Sequence, residues 1–193
     1  MVATAGQSVG IRDGELLERA ASGDRDAFDV LIGPRLDRLY RLAVVITRSE
    51  ADARDATQDA CVLAWRELPR LREHAKFDSW LSQIVVNAAR GVVRKTGQAR
   101  VRELSSDADA EAGRVRAEAV RPSETDTFAE TNAIQRAFGR LDETTRALLV
   151  LHYVEGSPLA DIARASGSPL GTVKWRLSNA RRALEKALEA ERR

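Results

Sequence analysis

The sequence predicts an all-α protein made of two small helical domains joined by a flexible acidic linker. Arg, Ala, Leu and Glu dominate, Gly and Pro together number only 17 of 193 residues, and no stretch alternates β-branched and polar residues as a strand does. Apolar residues recur at helical spacing in two blocks, separated by a segment that loses this spacing. Charge follows the same division: residues 66–102 hold nine basic against three acidic groups, residues 103–131 three against eight, and residues 172–193 seven against three. The formal charge of +2 is thus a sum of opposed blocks, and two cationic blocks flanking an acidic tether suggest two phosphate-facing surfaces.

Composition excludes several classes. With 44% hydrophobic residues but only nine aromatics, the cores must be aliphatic and alanine-based. The single cysteine, Cys61, can form no internal disulfide and fits a small apolar helical position. The longest apolar runs, such as Leu42 to Ile46, are far too short to span a bilayer, and Met1 to Gly14 has no apolar core after a basic stretch. These features predict a cytoplasmic protein without membrane insertion.

Residues 1–14 form a flexible N-terminus and residues 15–96 the first domain. Pro34 suits a helix start, and Leu36, Leu39, Tyr40, Ala43 and Thr47 give one apolar face. Ser49 and Asp52 have capping-box spacing, followed by a buried stripe of Ala53, Ala56, Ala60, Leu63, Ala64 and Leu68 that Pro69 ends. After the basic stretch from Arg70 to Lys76, a helix begins at Asp78 or Ser79. Its inward face is Trp80, Leu81, Ile84, Val85, Ala88 and Val92, and Gln83, Asn87, Arg90 and Arg94 align two amides and two guanidinium groups on the other side.

Residues 97–130 are the linker, rich in Asp, Glu, Ser and Ala with Pro122. In the second domain, residues 131–193, Ile134, Phe138 and Leu141 form a short helix. Asp142 caps the next, which buries Leu148, Leu149, Leu151 and Val154 and ends at Gly156. Ser157 and Pro158 start a helix with Leu159, Ile162 and Ala163 inward; Gly167-Ser168-Pro169 turns the chain. The last helix buries Val173, Leu177, Ala180, Leu184 and Leu188 and exposes Thr172, Lys174, Trp175, Arg176, Ser178, Asn179, Arg181 and Arg182. Two short helices, a glycine turn and a cationic second helix are the parts of a helix-turn-helix, whose second helix fits the DNA major groove.

The run from Asp52 through Gln58 with Ala64-Trp65 resembles the polymerase-binding helix of region 2 in extracytoplasmic-function (ECF) sigma factors of the sigma-70 family. Phe77-Asp78-Ser79-Trp80-Leu81 with Asn87 resembles the promoter-melting helix that follows, and Asp161-Ile162-Ala163 through Gly171 to Leu177 resembles region 4. The resemblance implies a non-catalytic alternative sigma factor with a region 2 bundle and a region 4 helix-turn-helix; no cofactor is expected, and with one cysteine and with His74 and His152 far apart no metal site is expected either. It implies that Asp52, Asp55, Gln58 and Asp59 face core RNA polymerase, with Trp65 as a hydrophobic anchor. Arg72, His74, Lys76, Phe77, Ser79, Gln83, Asn87, Arg90 and Arg94, with Arg70 and Lys95 beside them, would engage the minus-10 element. Thr172, Lys174, Trp175, Arg176, Ser178, Arg181 and Arg182 would read minus-35 promoter DNA. It further implies an anti-sigma factor partner and a linker that mimics a polyanion. Cys61-Val62, where a Phe is frequent, and Ser168, at a position usually aliphatic, depart from the family pattern and bear on fine packing and promoter choice.

A stand-alone helix-turn-helix regulator leaves the Asp52 to Trp65 run without a reason. A nuclease holding magnesium on Asp52, Asp55 and Asp59 lacks a distant acidic partner.

Overall fold

The computed structural model describes residues 11–106 and 128–191, and every regular element among them is helical. The first unit comprises α1 (Ile11–Ala21), α2 (Arg25–Ile32), α3 (Leu36–Thr47), α4 (Glu50–Glu67) and α5 (Phe77–Ser106). Gly23, at φ 99°, lets the chain reverse between α1 and α2, a conformation costly for any residue with a Cβ. Asp24 then caps α2, accepting from the Ala27 amide at 3.1 Å while Arg19 holds its other oxygen at 2.6 Å.

The centre of the unit is α4 between α3 and α5. Ala53, Ala56, Ala60 and Ala64 are fully buried, and their small side chains let the flanking helices approach closely. Ser49 starts α4 by accepting from the Asp52 amide at 3.3 Å, as the capping spacing predicts. Pro34 and Pro69 each sit in a one-turn 3-10 segment, Gly33–Arg35 and Leu68–Arg70, where a missing amide hydrogen costs little. A third such turn, His74–Lys76, leads into α5, which begins at Phe77 and runs to Ser106, ten residues into the segment read as linker.

The second unit comprises α6 (Phe128–Gly139), α7 (Glu143–Leu149), a π-helical turn (Val150–Val154), α8 (Leu159–Ala165) and α9 (Leu170–Glu191). Asp142 caps α7 through the Thr145 amide at 2.9 Å. Gly156 and Gly167, at φ 64° and 60°, end the π turn and α8. The long α9 packs against α6, α7 and α8. The acidic stretch 107–127 lies outside the described residues, and no described helix is long and apolar enough to cross a membrane.

Several facing assignments are corrected. Leu36, Leu63, Ile134 and Val154 are 40–61% exposed, while Thr57, Ser82, Val86, Ala89 and Ala137 fill the buried positions. Ser157 does not cap α8: Pro158 occupies the cap position, and Ser157 is buried. Wider π winding before Gly156 rotates Tyr153 and Val154 outward, which a regular 3.6-residue period does not register.

The hydrophobic core does not stop at the unit boundary. Leu39, Ile46, Leu81 and Val85 belong to one buried cluster with Leu141, Leu148, Leu151 and Ile162, and α7 lies against α3 and α5.

Candidate polymerase and nucleic-acid interfaces

Three surfaces carry the residues singled out from the sequence. On α4, the alanine stripe turns the opposite side outward: Asp55, Gln58 and Asp59 are exposed and Asp52 is half-buried. Val62 and Leu63, 49% and 43% exposed, extend this acidic face with an apolar end. Sequence reasoning missed them as surface residues, although Val62 lies seven residues, two helical turns, after Asp55. Trp65 packs edge-on against Phe28, ring centroids 5.1 Å apart, and so anchors α4 to α2.

The second surface is the turn before α5 and the outer side of that helix. Arg72, Asn87 and Arg94 are exposed, while His74, Lys76, Ser79, Gln83 and Arg90 are half-buried. Phe77 is a correction: it is fully buried, its ring 5.8 Å from that of Trp80 with the Arg35 guanidinium 5.2 Å above it, so it supports the surface from beneath. Arg35 ties this start of α5 down, donating to Asp78 at 2.5 Å, to Asp13 at 3.0 Å and to the Leu31 carbonyl at 2.7 Å. Burial disfavours charge on Arg35, but these carboxylates more than offset it and hold its pKa above the ordinary value. Lys76 pairs with Glu73 at 2.9 Å and keeps the Glu73 carboxyl below the usual range.

The third surface is the N-terminal half of α9. Lys174, Trp175, Arg176, Ser178, Arg181 and Arg182 are exposed, with Trp175 at 64%, and Thr172 is half-buried. Val173, Leu177 and Ala180 fix the helix to its core so that this cationic face is presented rigidly. Arg182 donates to Asn179 at 2.8 Å, leaving the guanidinium groups of Arg176 and Arg181 for an external acceptor. A row of cations on an exposed helix neutralises phosphates and releases counterions, which suits duplex DNA.

A family comparison finds that these three surfaces lie within two known regions. Residues 31–99 match Sigma-70 region 2 and residues 131–184 match Sigma-70, region 4. The ECF RNA polymerase sigma factor SigM of Mycobacterium tuberculosis is 38% identical over 176 residues, 91% of this chain and 84% of that protein. The chain belongs to the ECF sigma factors. The RNA polymerase sigma-H factor of Pseudomonas aeruginosa is 30% identical over 185 residues, with 92% and 94% of the two chains covered. Two solved structures share the fold. CnrH in complex with the cytosolic domain of CnrY gives a TM-score of 0.58 at 24% identity, covering 93% of this chain and 98% of that one. The sigma factor RpoE of Bartonella quintana, in complex with the anti-sigma factor NepR, gives 0.60 at 22%, covering 84% and 96%.

This sigma factor thus carries region 2 on α3, α4 and most of α5, and region 4 on the helices from α6 to α9. It is an alternative RNA polymerase sigma factor that serves transcription initiation.

Set between the two regions is a group of polar contacts that sequence reasoning missed. Glu155, just after the π turn and with its side chain 6% exposed, accepts from Arg38 of α3 and from the Ser82 hydroxyl of α5. Arg146 of α7, 6% exposed, donates to the Ile46 carbonyl at 2.6 and 3.2 Å and to the Leu141 carbonyl of its own unit. Arg48 donates to the Gly139 carbonyl at 2.8 Å, and Arg90 to the Thr144 hydroxyl at 3.2 Å. No local pattern marks these pairs, whose partners lie 54 to 117 residues apart.

Proposed function

We propose that this sigma factor works without catalysis, as a bridge with one protein-facing and two DNA-facing surfaces. Asp52, Asp55, Gln58 and Asp59 on α4 contact core polymerase, where exposed carboxylates pair with Lys and Arg across an interface. Arg72, His74, Lys76, Ser79, Gln83, Asn87, Arg90 and Arg94 hold the minus-10 element, with cations on the backbone and amides on unstacked bases. Thr172, Lys174, Trp175, Arg176, Ser178, Arg181 and Arg182 contact minus-35 duplex DNA. The carrying observation is the exposure of Lys174, Arg176 and Arg181 on a helix whose opposite side is buried.

CnrH was solved with the cytosolic domain of CnrY, and the Bartonella RpoE with the anti-sigma factor NepR. This chain is accordingly held inactive by a protein of the anti-sigma class, and it acts in the cytoplasm, where core polymerase works.

The test mixes the purified chain with core RNA polymerase and assays promoter-dependent transcription. Co-purification with polymerase and a transcript dependent on the chain are expected. Specific duplex binding without polymerase association would favour a stand-alone regulator, and metal-dependent cleavage an enzyme. The double substitution Asp52→Ala, Asp55→Ala is expected to weaken polymerase binding more than DNA binding; unchanged polymerase affinity would remove the α4 assignment.

A further inference from the structure

Residues 71–73, between the turns Leu68–Arg70 and His74–Lys76, have no regular structure, and the stretch from Arg70 to Lys76 carries Arg72, His74 and Lys76 of the minus-10 surface. Its internal ion pair, Lys76 with Glu73, is exposed and links residues only three apart. So short a segment takes its shape from whatever holds its two ends.

Both ends lead back to α1, a helix outside the matched region 31–99. At the first end, α1 lies against the turn Leu68–Arg70, where Leu68, like Leu17 of α1, is buried. At the second end the link is Arg35. Its side chain leaves a turn stiffened by Pro34, is 16% exposed, and directs each of its three nitrogens to a different helix. Nη2 donates to Asp13 of α1, Nη1 to the Leu31 carbonyl of α2 and Nε to Asp78 of α5, while the guanidinium lies over the Phe77 ring. Arg38 also approaches Asp78, but at 3.7 Å it is too far to donate a hydrogen bond.

An ion pair taken this far out of water adds little net stability, because desolvation offsets most of its attraction. What it fixes is geometry: a planar guanidinium holds three partners at set angles, which the single nitrogen of a Lys does not. A loop that receives an unstacked base holds it better the less ordering remains to be done on capture.

We propose that Arg35 is a positioning residue for promoter opening: by bridging Asp13 and Asp78 it makes α1 a brace that holds the stretch from Arg70 to Lys76 in shape for unstacked minus-10 bases. The proposal rests on the minus-10 assignment made above.

The test uses the full chain with core RNA polymerase on a promoter from which that complex transcribes, with 2-aminopurine in the minus-10 non-template strand to report opening. Arg35→Gln is expected to slow opening by about tenfold, the scale of loss when a working group is slightly misplaced. Affinity for core polymerase and the promoter concentration that half-saturates initial binding are expected to stay at parent values. Partial unfolding would lower the amplitude of the signal and not its rate. Asp13→Asn, which leaves the Asp78 bond in place, is expected to act in the same direction and less strongly. Hydrogen exchange on the free chain is expected to be faster at residues 71–76 in Arg35→Gln and unchanged in α4 and α9. Opening at the parent rate, or unchanged exchange at residues 71–76, would overturn the brace, as would an equal loss of polymerase binding, initial promoter binding and opening. Arg72→Ala and Asn87→Ala separate this from the underlying assignment. If they slow opening and Arg35→Gln does not, the brace falls and the minus-10 assignment stands; if Arg35→Gln alone slows it, the brace stands and those two contacts fall.

Discussion

Asp142 illustrates how much a single side chain can be read for. Its place just before an apolar helical run identifies it as a cap, and the structure has it accepting from the Thr145 amide at 2.9 Å and from the Thr145 hydroxyl at 2.6 Å. Burial raises its pKa, but these bonds, with the Thr144 amide, outweigh burial and hold the carboxyl below its ordinary 3.8. A depressed folded-state pKa means that the cap contributes fully above the unfolded value and loses its contribution as pH falls through the folded one. Asp142→Ala is therefore expected to cost about 1 kcal/mol at neutral pH in urea unfolding, with the difference from the parent shrinking below about pH 4. Phe77 was harder to place. An aromatic beside a basic loop is equally suited to stacking on a base or to closing a core, and only the start of α5 one residue earlier than Asp78 puts it inside.

At the scale of an element, the helices from α3 on and the caps Ser49 and Asp142 were legible, whereas the starts of α5 and α8 and the facing of several side chains were less so. On α4 the alanines define a buried line but, being small, leave its width open, so Leu63 was read as buried, whereas the neighbouring helices cover Thr57 and leave Leu63 43% exposed. On α9 large apolar residues three and four apart leave no such freedom, and Val173 and Leu177 face inward as read, with Trp175 outward. The exposed side of α9 makes a quantitative expectation possible. If Arg181 contacts a phosphate, Arg181→Ala weakens binding almost uniformly across sequences and reduces the slope of log affinity against log salt by about one. Fluorescence anisotropy over a salt series checks this, and an unchanged slope would place Arg181 away from the backbone. The extension of α5 to Ser106 escaped notice because its last turns carry charge in place of an apolar stripe.

For the whole molecule, the order of blocks along the chain was readable from charge and composition, whereas their docking was not. The docking is made by Arg38 with Glu155, Arg146 with the Ile46 carbonyl and Arg48 with the Gly139 carbonyl, partners 91 to 117 residues apart, and a backbone carbonyl gives no sign in the sequence of what it will accept from. Because one apolar cluster runs through both units, the chain is expected to melt in a single calorimetric transition whose calorimetric and van't Hoff enthalpies agree. Two resolved transitions would show that the units are stable separately and that the shared cluster contributes little.

Arg48 and Gly139 constrain each other across the molecule. Arg48 alone among the described non-glycine residues has a positive φ, 59°, and that backbone turn at the end of α3 swings its guanidinium over the end of α6. A Cβ at residue 139 would lie 2.8 Å from the Arg48 Cζ, the far end of a flexible side chain, so a larger residue there would push the guanidinium aside and strain its bond to the residue 139 carbonyl. A side chain at 139 would thus loosen this contact between the units while leaving the backbone of α6 as it is. Residue 139 therefore bears on how the two units meet, although it makes no turn of its own.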